Sequence, residues 1–295
     1  MPVSLRLRLQ AGLVRALIGL VARLPPATAS TLGGRIARCI GPWLRVSRVA
    51  DANLRRAMPE IDAAGRARII RGVWDNLGRT ACEFPHIRHL GATDSGPGIE
   101  IVCEPERLAA FRAGGAVIFV CAHQANWEAL TPVLAQFGPR PGVFYRAAGN
   151  PLVDRLIQSL RGGSGIAWFA KGRAGARAAM LHLRDGGQLG VLADQKMNDG
   201  IEATLFGHRA MTASAPAALA LRFGCPLVPV RVERLGPARL RVVIEPALVV
   251  PARGARHDEV AVLTQMVNDR LEAWIRARPC EWLWLHRRWP KDITR

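Results

Sequence analysis

Apolar positions in the first 90 residues recur every three to four places. Leu9, Leu13, Leu17, Leu20 and Leu24 follow helical spacing, as do Ile36, Ile40 and Leu44 and then Ile69, Ile70, Val73 and Leu77. Pro25-Pro26, Pro42 and Pro59 interrupt the pattern where helices would end. These features predict an N-terminal helical segment over residues 1–90. The stretch Gly91-Ala-Thr-Asp-Ser-Gly-Pro-Gly98 reads as a junction, and beyond it the pattern changes. Short apolar runs now appear at Ile99–Val102, Ala116–Val120, Gly142–Tyr145, Ile166–Phe169, Gln188–Leu192, Pro226–Val232 and Leu240–Ile244. Between most of them lie stretches long enough for a helix: Trp127–Phe137, Pro151–Arg161, Gly175–Arg184 and Ala213–Phe223. Such alternation predicts an α/β domain over residues 91–295, with a largely parallel (mixed) central sheet and helices on both faces. In sheets of this kind ligands gather at the carboxyl ends of the strands.

One of those ends carries chemistry. The apolar run Ala116–Val120 has the texture of a buried strand and is followed by Cys121-Ala-His-Gln-Ala-Asn-Trp-Glu128. His123 therefore falls just past a strand end, where a largely neutral imidazole can take a proton from a hydroxyl. If a helix starts near Asn126, Glu128 lies in its first turn, within reach of one ring nitrogen, and would set the tautomer. The competing reading is local: Asn126 is a common N-cap, and Glu early in a helix complements the macrodipole. No serine or cysteine nucleophile accompanies the pair, so the substrate's own hydroxyl would be the attacking group. Arg146 follows the run ending at Tyr145, and its planar fork suits phosphate, with Asn150 assisting or Asp154 forming a salt bridge instead. Asp194 closes another apolar run and reads as a partner of the site, a substrate contact or the cap of a turn. His86, His89, His182, His208 and His257 lack ligand spacing, so no metal is expected.

Charge changes the picture more than composition does. The 295-residue chain has a net charge of +18, and its lysines are confined to Lys171, Lys196 and Lys291, so arginine supplies nearly all of the excess. Such a balance attracts an anionic membrane face, a phosphorylated lipid, an acidic carrier protein or nucleic acid. Nucleic acid is the weakest of these, because no RNP, helix-turn-helix or zinc pattern stands out. The N-terminal leucines are interrupted by Arg6, Arg8, Arg15 and Arg23, which leaves no run of roughly 20 apolar residues for a spanning helix. The pattern suits a helix in the membrane interface or one packed on its own domain. Trp282, Trp284 and Trp289, with His286, Arg287 and Arg288, are a second candidate for interfacial anchoring, with packing onto the core as the alternative. Six cysteines without a CxxC pair favour reduced thiols over a disulfide framework.

Several ordered stretches together resemble a family. Arg48–Ile61, Trp74–Phe84, AHQANWE, Phe144–Gly165, Leu192–Val230 and RPCEWLWLHRRWP (Arg278–Pro290) are similar to segments of the late acyltransferases of lipid A biosynthesis. These lauroyl/myristoyl transferases are a branch of the glycerolipid acyltransferases marked by a His-x4-acid motif. Leu205 stands where many members carry a phenylalanine, and Lys196 where an acidic residue is frequent. The resemblance implies transfer of a fatty acyl group from an acyl carrier protein thioester to a hydroxyl of a phosphorylated glycolipid, a lipid A precursor, without a cofactor. It further implies His123 as general base, Glu128 as its orienting acid, and Arg146, Asn150, Asp194 and Asn126 as substrate-binding residues, Asp194 alternatively serving as a partner behind the base. Work at the cytoplasmic face of the bacterial inner membrane, by a peripheral or monotopic protein, follows from the same likeness. A lysophospholipid, an aminolipid or another glycolipid is the alternative acceptor, and a catalytically silent relative is the alternative protein.

Overall fold

A computed structural model describes residues 4–91, 96–161, 165–249 and 256–289. Residues 92–95 of the junction, 162–164 of the stretch Phe144–Gly165, and Pro290 lie outside the described residues, as does the side chain of His257. The helical N-terminal part comprises α1 (Leu5–Val21), α2 (Pro26–Ile40), α3 (Ser47–Ala57) and α4 (Ala63–Glu83). There follow β1 (Gly98–Val102), α5 (Pro105–Ala113), β2 (Val117–Cys121), α6 (Leu130–Phe137), β3 (Pro141–Tyr145), α7 (Pro151–Arg161), β4 (Ala167–Ala170), α8 (Arg173–Arg184) and β5 (Gln188–Leu192). A hairpin of β6 (Ile201–Leu205) and β7 (His208–Thr212) leads to α9 (Ala215–Phe223), β8 (Leu227–Gly236), β9 (Arg239–Ile244) and α10 (Arg256–Ala277). Local chemistry sets many of these ends. Asp62 caps α4 by accepting from Gly65 N at 2.7 Å, and prolines stand in the first turns of α2, α5 and α9.

The seven-stranded sheet has the order β1-β9-β8-β2-β5-β3-β4. β8, β2, β5, β3 and β4 run parallel, β9 is antiparallel to β8, and β1 is parallel to β9. The sheet is thus mixed and mostly parallel, as the alternating pattern implies. All five residues of β2 are buried. They alternate between two cores: Val117, Phe119 and Cys121 pack with Phe111, Leu134 and Phe137, while Ile118 and Val120 pack with Leu189, Leu271 and Ile275 on the opposite face. Burial on both faces is what makes this strand read as an unbroken apolar run.

Three elements go beyond the sequence pattern: α5, α10 and the β6–β7 hairpin. The hairpin turns through Phe206 (φ 53°) and Gly207 (φ 71°), a two-residue loop with both residues left-handed, and this places a phenylalanine where glycine or asparagine would have signalled it. In the closing aromatic segment, packing onto the core prevails over interfacial anchoring. Trp282 and Trp284 are fully buried and Trp289 nearly so, packed into the core cluster that contains Leu271 and Ile275. Arg288 is buried as well, donating to Met211 O at 2.8 Å and Thr212 Oγ1 at 2.7 Å, and its desolvation lowers the guanidinium pKa to about 10. Their indoles fill the interior, so none of the three tryptophans reaches a membrane.

The N-terminal helices are tied to the sheet through α4. Gly33 of α2 and Gly78 of α4 face each other so closely that a side chain on either would collide with the other helix. At the end of α4 the buried carboxylate of Glu83 accepts from Ser30 Oγ (2.6 Å), Asn126 Nδ2 (2.8 Å), Ala238 N (3.0 Å) and both terminal nitrogens of Arg234. Burial alone would raise its pKa, yet Arg234 and the other donors hold it below the ordinary value. Removing one member of a buried ion pair leaves the other charge uncompensated and costs roughly 3–5 kcal/mol. Glu83→Ala is accordingly expected to lose about that much stability in guanidinium unfolding, and a loss below about 1 kcal/mol would show that the network is not coupled as drawn.

Candidate active site

The site grows out of the loop after β2. Ala125 is in the left-handed region (φ 48°), a conformation a non-glycine residue holds only when its surroundings enforce it. They do so here from two sides. Ala125 O accepts from Asn76 Nδ2 and Thr80 Oγ1 of α4, both at 3.0 Å, while Ala125 N donates to Glu281 O at 3.0 Å and Leu283 N donates to His123 O at 3.0 Å. Helix α4 and the closing segment therefore grip the loop between them, and His123 leaves it in one direction.

His123 Nδ1 lies 2.8 Å from Asp194 Oδ1, and its backbone N–H donates to Asp194 Oδ2 at 2.9 Å. Trp282 Nε1 donates to the same Oδ2 at 2.7 Å. Asp194 sits just past the end of β5, the neighbour of β2, so two adjacent parallel strands deliver the carboxylate and the imidazole to one edge. A fully buried carboxylate with three donors stays ionised: burial would raise its pKa, but His123 and the hydrogen bonds hold it well below the usual carboxylate range. Acting as acceptor, it fixes the proton of His123 on Nδ1 and leaves Nε2 as the basic nitrogen. For His123, burial pulls the pKa down, while the charge and hydrogen bond of Asp194 and the charge of Glu128 outweigh it and leave the value raised. Trp127 packs edge-on to the ring at 5.2 Å, and Gln195 Nε2 lies 3.5 Å from Nε2.

The expected contact between Glu128 and the imidazole is not made. Residues Trp127–Ala129 form a single 3-10 turn that turns Glu128 toward α7, where Arg161 binds it in a fork, Nε to Oε2 at 3.0 Å and Nη2 to Oε1 at 2.5 Å. The arginine also stacks over the rings of Trp168 (5.3 Å) and Phe84 (5.7 Å). Two further expectations are corrected. Asn126 is fully buried and engaged on both sides, accepting from Glu128 N (3.2 Å) and donating to Glu83, so it caps the turn and offers nothing to a substrate. Asn150 caps α7 by accepting from Leu152 N (3.0 Å) and donates to Leu7 O (2.9 Å), which docks α1 instead. Arg146 does line the site, exposed at its rim.

A pocket of about 260 Å³ opens beside His123. Glu128, Arg146 and Arg161 border it with His123, and it runs inward past Leu134 and Val143 to Phe119 and Phe137, which are almost completely buried. Arginine at the rim and hydrocarbon at depth suit an amphiphile. Sequence reasoning missed Arg161 and Trp282, although both stand in the stretches that carry the family likeness. Glu83 was missed too, because a glutamate at a helix end gives no sign that it is buried.

The model of the bacterial lipid A biosynthesis acyltransferases matches residues 5–291. The chain belongs to that family. A curated relative, the phosphatidylinositol mannoside acyltransferase of Mycolicibacterium smegmatis (strain ATCC 700084 / mc(2)155), is 24% identical over 204 residues, 68% of this chain and 65% of that protein, so the match spans just under two thirds of the relative. Among solved structures, the 1-acyl-sn-glycerophosphate acyltransferase PlsC from Thermotoga maritima aligns with a TM-score of 0.41 and 14% identity, covering 83% of this chain and 99% of its own. In this family member the imidazole titration tests the site directly. By NMR, His123 is expected to titrate above 6.5 in the native protein and to fall in Asp194→Asn, where burial is left to dominate, with a smaller fall in Glu128→Gln. An unchanged midpoint in Asp194→Asn would refute the pairing.

Proposed function

We propose that the protein is an O-acyltransferase that moves a fatty acyl chain from an acyl carrier protein thioester to a hydroxyl of a phosphorylated glycolipid, a lipid A precursor. The observation that carries this reading is the His123 Nδ1 to Asp194 contact of 2.8 Å beside a deep apolar pocket. His123 Nε2 takes the proton of the acceptor hydroxyl as its oxygen attacks the thioester carbonyl. The tetrahedral intermediate collapses, the C–S bond breaks, and the imidazolium returns the proton to the departing thiolate. Asp194 holds the ring and compensates the charge it gains.

Oxyanion stabilisation falls to side chains. The backbone N–H groups of Gln124 and Ala125 are already donated to Ala122 O and Glu281 O, and the Gln195 amide, whose Nε2 lies 3.5 Å from His123 Nε2, is a donor placed beside the base. Glu128 fixes Arg161, and Arg146 at the rim meets the phosphate of the donor arm or of the acceptor. The pocket accepts the acyl chain, and Gly190 keeps it open: a Cβ there would stand 2.8 Å from Leu134 Cδ1.

Action at the cytoplasmic face of the bacterial inner membrane, as a peripheral or monotopic protein, is part of the same proposal. Leu5, Leu9, Leu13, Leu17 and Leu20 form an exposed stripe on α1, and Leu32, Ile36, Ile40 and Trp43 form another along α2 and the turn after it. No helix among the described residues is long and apolar enough to cross a membrane. The mannoside acyltransferase relative favours one alternative, a different glycolipid as acceptor.

Transfer from a panel of acyl carrier protein thioesters to a lipid A precursor is the test. His123→Ala and Asp194→Asn are each expected to lose on the order of 10² to 10⁴ in rate while remaining folded. A loss under about tenfold in His123→Ala would sink the base assignment, and transfer by the native enzyme only to other glycolipids would move the acceptor. Gly190→Val is expected to shift the preferred donor to shorter chains at similar expression and melting temperature; an unchanged profile would place the chain elsewhere.

A further inference from the structure

A second concave feature lies outside the catalytic pocket, between α1 and α7. Asn150 docks the two helices by its hydrogen bond to Leu7 O, and a groove of about 470 Å³ runs alongside. Arg8 and Arg15 border it from α1 and Arg155 from α7, over a floor that includes Gly12, Leu152 and Leu156. Arg8 and Arg15 are seven residues apart, two helical turns, so both stand on one side of α1. A Cβ on Gly12 would meet nothing within 4 Å, which leaves the groove open between them.

Among the described residues no carboxylate lines this groove. The nearest acid in sequence, Asp154, is turned away to accept from Ala148 N at 2.8 Å. Several other arginines are matched to acids, Arg66 to Asp51, Arg161 to Glu128 and Arg231 to Glu245 among them. Three arginines bordering one groove that no carboxylate lines, over an apolar floor, are complementary to a phosphate that carries hydrocarbon.

The orientation of α1 selects the source of that phosphate. Its leucine stripe is more than half exposed at every position, from Leu17 at 54% to Leu5 at 73%. Leu7, Val14 and Ile18 occupy the side that packs inward, and at 100° per residue Arg8 and Arg15 fall on the flank between the packed side and the stripe. With the leucines in the acyl layer, that flank lies at headgroup depth. We propose that the α1–α7 groove binds the phosphate headgroup of an anionic phospholipid of the bilayer, held by Arg8, Arg15 and Arg155. The lipid's upper chain rests on Leu152 and Leu156. Arg161, which borders the catalytic pocket, lies about 9 Å along α7 from Arg155 at 1.5 Å per residue.

This inference rests on α1 lying in the interface and is independent of acyl transfer. Flotation of the full chain with phosphatidylcholine vesicles, with and without phosphatidylglycerol, tests it without any acceptor or donor. A basic residue near an anionic surface contributes about fivefold in binding, so the triple variant Arg8→Gln/Arg15→Gln/Arg155→Gln is expected to lose on the order of a hundredfold of the phosphatidylglycerol-dependent affinity. It should keep its weaker binding to phosphatidylcholine and its melting temperature. The charge-matched variant Arg173→Gln/Arg177→Gln/Arg222→Gln, altered at exposed positions of α8 and α9, should change by less than about threefold. Equal losses in the two triples would replace the site by diffuse charge and overturn the proposal. Unchanged vesicle binding in the groove variant together with a tenfold higher KM for the glycolipid would make the acceptor's phosphate the occupant, which also overturns it. Leu9→Gln/Leu13→Gln should weaken binding to both kinds of vesicle, and if it does not, the interfacial placement of α1 fails and the groove's assignment with it.

Discussion

One buried carboxylate organises the site. Asp194 has no contact with solvent, and it accepts from the imidazole of His123, the backbone of His123 and the indole of Trp282. Those three donors come from parts of the chain about 70 and 88 residues away. An ion in that position is tolerable only when its lone pairs are filled, so the strand end, the loop after β2 and the closing segment must all be in place at once. The same requirement sets the tautomer of His123.

A second buried carboxylate supports the first from the other side. Glu83 collects donors from α2, the loop after β2, and the β8–β9 turn, and its neighbours Asn76 and Thr80 hold Ala125 left-handed. The N-terminal helices therefore do more than present apolar stripes to their surroundings. Their inner face sets the backbone from which His123 projects, while their outer face carries exposed leucines, isoleucine and Trp43. Strain at Ala125 and charge at Glu83 are offset together, since the polar groups that fix one also satisfy the other.

Residue types were divided by depth in ways that composition hides. The net charge of +18 is an average over arginines with quite different work: Arg234 neutralises Glu83, Arg288 ties the closing segment to β7, Arg161 forks onto Glu128, and Arg8, Arg15 and Arg155 face a groove. Tryptophan divides likewise. Trp282 and Trp284 are interior, whereas Trp43 is almost wholly exposed. A terminal cluster of tryptophan and arginine reads in sequence as either an interfacial anchor or core, and the packing of α10 and the hairpin makes it core.

The alternation of apolar runs and helical stretches was enough to determine a mostly parallel sheet, the N-terminal helices and the placement of His123 at a strand end, because burial on both faces forces that pattern onto the chain. The ordered motifs likewise carried the family, since their order does not depend on any one contact. Which carboxylate meets the histidine was decided only by the tertiary structure. Glu128 is five residues away in sequence and Asp194 is 71, but β2 and β5 are adjacent parallel strands, and their shared edge brings Asp194 to 2.8 Å. Asn126 and Asn150 became a turn cap and a helix dock for the same reason: a polar side chain's partner is set by which backbones the sheet and helices bring alongside, and that adjacency is absent from local spacing.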